Sequence, residues 1–458
     1  MRDEFNTDVC IIGLGPAGIG TALSFSKSNL ASRVLCLDIG TSLNTKSCSI
    51  LQNGNCKKEN PCQMISGFGG CSLLSGGKLS AFPAGSKLGT ILGSKHLAEK
   101  KLSEALSLFK SYLLLHKPRI TKKDINNAKE LFKKLGFEYK YYDVYLYDQE
   151  ELRKAYQRML LQLKSAGISI FLNAELIKID FEKNGFKLIA KYGEQNIIIY
   201  TKYLVLGVGR LGRSMLKYLN KELNLNGKEN HLDVGVRLEF PTSLFPEITR
   251  YHNDLKLLFN DARTFCVCKD GKVAPYLLED VFYTEGNFNP KYKTGLTNLG
   301  IMIRLKPSKQ NEIIFCEIKK KLIKVNNGKP IYQKLSNYLN INGRNLYAPK
   351  SFKSSISFCM QGDINQCFPN HLSAKIRKAV IYFTSRLLPK DSWEIVNVFA
   401  PEIDYGSLSF PIKSDFSIAK RMYLIGDCTG RFRGLLQAFC SGIICAEGII
   451  SNAYGKKL

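Results

Sequence analysis

The residues with the clearest chemical purpose come first in the chain. Gly13-Leu14-Gly15-Pro16-Ala17-Gly18 follows the apolar run Asp8 to Ile12 and opens a small-residue helical stretch, Ile19 to Ser28. A glycine turn between strand and helix suits a dinucleotide pyrophosphate. Gly13 permits the tight turn, Gly15 lets phosphate approach the backbone, and Gly18 lets the helix lie close to the strand. The helix that starts at Pro16 adds the N–H groups of Ala17 and the residues just after it, which lack helical partners, and the positive end of the helix dipole. Asp38 ends the next apolar run, Arg33 to Asp38, where a carboxylate can accept from ribose hydroxyls.

Two later segments carry related signals. Ile425-Gly426-Asp427 ends an apolar strand, and Gly430, Arg433, Gly434 and Leu435 lead into a helix. Asp427 can accept from a ribityl hydroxyl, while N–H groups at the helix start face negative charge developing on an isoalloxazine ring. The competing reading is an ordinary strand-to-helix turn with an aspartate cap. Joining an amino-terminal dinucleotide turn to a carboxy-terminal contact favours an extended cofactor, FAD. Gly207-Val208-Gly209-Arg210-Leu211-Gly212 repeats the glycine spacing after Tyr203 to Leu206. It reads either as an NADPH site, with Arg210 or Arg213 on the 2′-phosphate, or as a turn leaving the FAD domain. The second is preferred, because the polar turn Asn224 to Gly227 interrupts any further βαβ unit.

These motifs need elements to position them. The opening reads as strand, turn, helix, strand. A loop rich in Asn, Cys and Gly follows, then a glycine-dense stretch, Ser66 to Gly89. His96 to Leu135 has a helical pattern broken at Pro118, and Glu150 to Ala166 is amphipathic. Strands are expected at Ile168 to Leu172, Leu176 to Phe181, Phe186 to Tyr192, Ile197 to Tyr200 and Tyr203 to Leu206. The middle third is expected to alternate, with strands at Val234 to Phe240, Leu299 to Leu305 and Ile313 to Ile318. Met422 to Ile425 and a helix from Leu435 to Ser451 return to the opening style, so the two ends are expected to build one domain around an insert.

Composition bounds the rest. The 458 residues are 45% apolar and 23% charged, which excludes a disordered chain or a single small scaffold. The most apolar run, Leu435 to Ile450, carries Glu447 and two glycines, so no membrane span is expected. Few residues precede the first apolar run, which leaves no room for a secretory signal, and a cytoplasmic location with reduced thiols among the 14 cysteines is expected. The net charge of +27 fits polyanion binding, but the lysines are scattered over solvated helices and follow no aromatic period. An RNA partner is therefore the lesser expectation.

Beyond Gly13 to Gly18, the segments ISGFGGCSLLSGGKLS (Ile65 to Ser80), DVGVRLEFP (Asp233 to Pro241), RTFCVCKDGKV (Arg263 to Val273) and IGDCTGRFRGLLQAFCSGI (Ile425 to Ile443) occur in that order. Together they resemble the largely uncharacterised FAD-dependent dehydrogenases of bacteria and archaea, often called NAD(P)/FAD-dependent oxidoreductases. That family lies in the p-hydroxybenzoate hydroxylase-like and geranylgeranyl reductase-like flavoprotein superfamily, and the resemblance covers nearly the whole chain. It implies an α/β fold, with a discontinuous Rossmann-like FAD-binding domain and an inserted mixed α+β substrate domain. The expected division is FAD domain over 1–95, 151–225 and 400–458, a helical cap part over 96–150, and the substrate domain over 226–399.

The resemblance also implies cofactor contacts at Gly69 and Gly70. Lys78 is expected to hold flavin phosphate, to polarise the N1/O2 locus as a catalytic group, or to be a solvated loop lysine. Ser75-Gly76-Gly77-Lys78 departs from the family's usual Ser-Asp-Gly-Lys, and Cys48, Cys56 and Cys62 match its cysteine cluster only in part, with Glu59 where another cysteine is common. Zinc normally takes four closely paired ligands, so no metal is expected. Cys266 and Cys268 should share one strand face, either meeting the flavin or, as preferred, filling core. His252 is an acid–base candidate. Arg237 and Arg263 either bind an anionic substrate or pair with carboxylates.

The expected activity is two-electron hydride transfer between flavin N5 and an organic substrate, with NAD(P)H as a candidate external donor. The alternatives are an FAD-dependent RNA-modifying or RNA-binding protein and a membrane-surface prenyl reductase.

Overall fold

The computed structural model describes residues 4–339, 354–406 and 408–454. A strand over Glu4–Ile12, a helix over Pro16–Phe25 and a strand over Val34–Asp38 open the chain. Asp8 to Asp38 supplies unbroken buried strand runs rather than alternating ones, the mark of strands covered on both faces. The two strands are parallel, with Val9 opposite Val34 and Ile12 opposite Leu37. Ser169–Leu172 adds beyond Val34–Asp38. On the other side Gln195–Leu206 pairs parallel with Glu4–Ile12, and Met422–Leu424 pairs with Gln195–Leu206. Numbered by sequence, these parallel strands lie in the order 3-2-1-4-5, a doubly wound sheet whose winding reverses between Glu4–Ile12 and Gln195–Leu206.

The last helix, Leu435–Tyr454, packs directly on the first. Two glycines allow the approach. A Cβ on Gly20 would collide with the Phe439 carbonyl oxygen, and one on Gly442 with the Ala17 carbonyl oxygen. Thr21 Oγ1 donates to the Gly442 carbonyl at 3.2 Å. Helix Lys95–Lys110 closes the far side through Phe109 against Phe439, with ring centroids 5.3 Å apart, and through Lys101 to Glu447 at 2.9 Å. Among the described residues Leu435–Ala453 is the one helical stretch long and apolar enough to cross a membrane. It is instead a core element: Leu436, Phe439, Ile449 and Ile450 are buried, each worth about 1.5–3 kcal/mol.

The second layer is a mostly antiparallel sheet in the order Met360–Gln361, Ile331–Lys334, Asn397–Tyr405, Leu232–Pro241, Leu296–Leu305, Ala262–Cys268, Lys256–Phe259, Glu138–Lys140. Helices Gln310–Asn326 and Asn370–Leu387 share its apolar core, as does the hairpin of Lys272–Leu278 and Val281–Asn287.

Four expectations change. Ile313 to Ile318 is helix, part of Gln310–Asn326. Its buried positions Ile314, Phe315, Ile318 and Leu322 follow a helical period that the short apolar run alone does not reveal. Ile197 to Tyr200 and Tyr203 to Leu206 are one strand, Gln195–Leu206. The boundary expected at residue 400 falls inside Asn397–Tyr405, which belongs to the second sheet. The segment 96–150 divides: Lys95–Lys110 packs on the last helix, whereas Ala128 and Phe132 of Lys122–Lys134 join the core of the second sheet.

Replacing Gly442 by leucine is expected to destabilise the protein by about 3 kcal/mol or more, because overpacking here meets backbone that cannot move aside. Denaturant unfolding of the two proteins measures this. An unchanged midpoint would mean that the two helices are not held at this distance.

Candidate functional site

The crevice of interest lies at the carboxyl ends of the parallel strands, where the winding reverses. Gly13 has φ +95°, and a Cβ on it would strike the Gly207 carbonyl oxygen. The Gly207 N–H donates to the Ile12 carbonyl at 2.8 Å, so the turns Gly13–Gly18 and Gly207–Gly212 touch. A Cβ on Gly18 would strike the Gly13 carbonyl oxygen, which is the close strand–helix packing expected of it. Gly15 caps the helix in an extended conformation, Pro16 stands at its start, and no side chain caps its first turn. Only the Gly70 Cα, at 3.8 Å, lies near where a Gly15 Cβ would be.

Asp38 is engaged by backbone on three sides. Its Oδ2 accepts from the Leu14 N–H at 2.7 Å, and its Oδ1 accepts from the N–H groups of Gly40 and Gly67 at 2.8 Å each. Three of about four acceptor positions are thus spent on backbone. The short aspartate side chain reaches its own loops, so the carboxylate shapes the turn and keeps about one acceptor position beyond these bonds. Gly69 and Gly70 lie along the same turn. The Gly69 N–H donates to the Leu14 carbonyl at 2.8 Å, and a Gly70 Cβ would sit 3.0 Å from the Gly15 Cα.

Lys46 holds this loop from behind. The side chain is 1% exposed, and Nζ donates to the Ser66 carbonyl and, at 2.5 Å, to the Gly70 carbonyl. Burial drops its pKa to about 8, against the opposing pull of Asp38. Sequence reasoning missed Lys46, a lone lysine in a loop without periodicity.

The carboxy-terminal turn completes the crevice. A Cβ on Gly426, φ +75°, would lie 2.9 Å from the Ala17 Cβ, so this turn abuts the first helix. Arg210 Nε is 3.6 Å from Asp427 Oδ2, and its Nη1 is 3.4 Å from Glu285 Oε2. Arg433 Nε is 3.3 Å from Asp427 Oδ1, and its Nη2 pairs with Asp404. Gly209 has φ +55° and open space where a Cβ would be. After Gly212, helix Arg213–Leu223 leads into Lys228–Glu229 and Leu232–Pro241, neither of which joins the parallel sheet. The second glycine motif therefore leaves the first layer and opens no second βαβ unit.

Gly434, φ +114°, and Leu435 start the last helix. Here buried Arg433 Nη1 and Gln437 Oε1 have no partner, although Gln437 Nε2 donates to the carbonyls of Ser80 and Ala84 at 3.0 Å each. Orphaned buried polar atoms are rare in native proteins. With the uncapped first helix and the space at Gly15, they fit a group rich in phosphate and hydroxyls. Gln437 also escaped the sequence reading, because a glutamine inside an apolar helix carries no motif.

Lys78 is engaged elsewhere. On strand Lys78–Ser80, its Nζ lies 3.1 Å from Asp254 Oδ1, donates to the Val267 carbonyl and stands 4.0 Å from Cys266 Sγ. Burial works to lower its pKa, but Asp254, then Cys266 and Cys268, hold it above the ordinary lysine value. At 8% exposure it is no solvated loop lysine, and its donors are already met by protein. Burial likewise opposes the charge of Asp254, yet Lys78, then the Tyr142 hydroxyl at 2.7 Å, bring it down to about 2. His252, 1% exposed, is packed against Tyr142 with Nε2 2.8 Å from that residue's carbonyl, and burial lowers its pKa. It ties the loop after Glu138–Lys140, while its Nδ1 is buried without a partner.

Arg237 and Arg263 take the carboxylate reading. Arg237 pairs with Glu402 and donates to Asn298 Oδ1 at 2.7 Å. Arg263 pairs with Asp233, which Arg304 also holds at 2.7 Å. Cys48, Cys56, Cys62 and Glu59 line one small cavity. Among the described residues no group of three or more His, Cys, Asp or Glu side chains converges as a metal cage.

No family model matches the chain, and no curated protein matches it. Solved structures with a similar course include p-nitrophenol 4-monooxygenase PnpA from Pseudomonas putida, 11% identical with a TM-score of 0.39 over 99% of this chain and 81% of that one. Aklavinone-11 hydroxylase in complex with FAD and aklavinone is 12% identical with a TM-score of 0.39, covering 99% of this chain and 64% of that one. A geranylgeranyl bacteriochlorophyll reductase-like protein from Thermoplasma acidophilum is 11% identical with a TM-score of 0.39, over 99% and 81%. This chain thus spans less than two thirds of the hydroxylase's length.

Lys46 gives a pH signature. In the unfolded chain it keeps its proton to near 10.5, in the folded one only to about 8. Between those values the unfolded state binds more protons, so stability rises with pH, by up to about 3 kcal/mol. Unfolding midpoints at pH 7.5 and 9.5 should therefore climb more steeply for the wild type than for Lys46→Met; equal slopes would contradict the buried, charged lysine.

Proposed function

We propose that the chain is an FAD-dependent oxidoreductase, with the parallel layer as its cofactor domain and the antiparallel sheet as its substrate domain. The observation that carries this reading is the convergence of Gly13–Gly18, Gly207–Gly212 and Gly426–Asp427 at the carboxyl edge of the sheet, on both sides of its switch point. Open α/β sheets bind their ligands at that place.

The uncapped first helix and the backbone at Gly15 would hold the pyrophosphate, with Gly69 and Gly70 as the adjoining wall. Asp38 and Lys46 keep that wall in shape from opposite sides. Asp427, Gly426 and the start of the last helix would hold the ribityl and ring end, with Arg433 Nη1 and Gln437 Oε1 supplying polar contacts that protein leaves free. Arg210, pinned between Asp427 and Glu285, orients that aspartate rather than contacting phosphate. When bound, FAD supplies two-electron hydride chemistry at N5. The second sheet supplies the opposite wall: Asp404, joined to Arg433, lies in a buried charged array with Asp233, Arg263 and Arg304. Such an array suits a polar organic substrate and keeps bulk water from the reacting edge. NADH or NADPH is the external donor to be tested.

The purified protein is expected to be yellow and to be bleached anaerobically by one of the two nicotinamides, read from the absorption spectrum. A colourless protein that FAD does not reconstitute would overturn the reading. Gly15→Leu should fold, since a Cβ there has space, yet bind FAD at least about tenfold more weakly because the side chain fills the phosphate's approach.

A further inference from the structure

Cys266 and Cys268 were expected to share a face of a regular strand, where residues two apart stand about 6.6 Å from each other along the chain. Their sulfurs are instead 3.8 Å apart. The cause is local: pairing with Leu296–Leu305 slips between Phe265 and Cys268, and Cys266 takes φ +43°, a left-handed conformation costly for any residue with a Cβ. The bulge turns two thiols toward each other.

Their surroundings are built for charge. Lys78 Nζ stands 4.0 Å from Cys266 Sγ, and Arg237 Nη1 donates to the Cys266 carbonyl at 3.1 Å. The covering hairpin has glycine at the contact, since a Cβ on Gly286 would lie 2.8 Å from Cys268 Sγ and 2.7 Å from Arg237 Nη1. Cys266 is partly exposed and Cys268 buried. Around the pair, buried Arg237 Nε, Asn298 Nδ2, Glu402 Oε2 and Asn287 Oδ1 have no protein partner. Two unmet donors and two unmet acceptors beside one dithiol point to a polar ligand there.

We propose that Cys266 and Cys268 are a redox-active dithiol that exchanges with a small polar disulfide carrying amide or carboxylate groups. The pair's charge rests on Cys268, while its hydrogen bond to Cys268 and burial push the Cys266 thiol up; the partly exposed Cys266 therefore passes its proton to Cys268 as its sulfur attacks one sulfur of the external disulfide, forming a mixed disulfide and releasing one thiolate. Cys268 then attacks Cys266 Sγ, the Cys266–Cys268 bond forms, and the second external thiolate leaves. The two thiol protons of the pair pass to the released thiolates, so the pair loses two electrons and two protons and the external disulfide becomes two thiols. The hydrogen bond from Cys266 brings the Cys268 thiol down to about 7 against its burial, helped by Lys78 and Arg237. Burial pushes Cys10, Cys36 and Cys445 up instead. Charge is thus available at this pair near neutral pH, where inert core thiols have none. The inference stands independently of the flavin.

The test incubates the full chain with oxidised glutathione, blocks remaining thiols with N-ethylmaleimide and maps every cysteine by mass spectrometry. An internal Cys266–Cys268 bridge is expected, with Cys10, Cys36 and Cys445 unoxidised and labelled by maleimide once the chain is unfolded in denaturant. Cys268→Ser should stop at glutathione on Cys266, and Lys78→Met should slow the exchange about tenfold while Lys78→Arg restores it. If Cys266 and Cys268 remain free thiols while the exposed Cys316 is modified, or if glutathione stays on wild-type Cys266 without resolving, the proposal is overturned. Should the variants fail to fold, the wild-type map alone decides.

Discussion

Three backbone N–H groups from separate loops end on one buried carboxylate, that of Asp38. Hydrogen bonds to a charged acceptor are worth about 1.5–3 kcal/mol each, and here they fix the positions of Leu14, Gly40 and Gly67 together. Since Gly67 begins the stretch that crosses Gly15, the shape of the crevice follows from this one side chain. Lys46 completes the arrangement by tying the carbonyls of Ser66 and Gly70, so that an anion below and a cation behind hold a loop that has almost no side chains of its own. The glycines can be so bare because polar anchors elsewhere define their path.

The join between the two layers obeys a different rule. Arg433 with Asp404, Arg210 with Glu285, and Arg213 with Glu279 and Glu312 are ion pairs that cross from the first layer to the second, whereas Arg237 with Glu402 and Arg263 and Arg304 with Asp233 lie within the second sheet. Buried pairs give little net stability against apolar replacements, but breaking one leaves a charge stranded at a cost of about 3–5 kcal/mol. A layer docked out of register would strand several at once. The crossing pairs therefore select one arrangement of the two layers more than they strengthen it.

Local patterns were readable in the sequence, and long-range partners were not. Gly13 to Gly18 sits between a strand and a helix as its spacing implies, and the union of the two termini follows from matching styles at Asp8 to Ile12 and Met422 to Ile425. The partners of Lys78 and Asp38 were out of reach. Asp254 lies far along the chain from Lys78, and no periodicity connects them. Ile313 to Ile318 failed because six apolar-rich residues fit a strand or a buried helix equally, and only the continuation to Leu322 decides. Cys266 and Cys268 failed for a subtler reason: strand alternation gives the right side but not the distance, since a bulge has no reliable sequence signature.

The burial of the last helix against the first has a consequence for the order of events at the ribosome. Until Leu435 to Tyr454 has been synthesised, Ala17, Thr21 and Phe109 have no cover, and strand Gln195–Leu206 lacks its neighbour Met422–Leu424. The nascent polypeptide must carry a half-built parallel sheet with a naked apolar flank until that helix is made, a stage at which chains are open to aggregation and to chaperones.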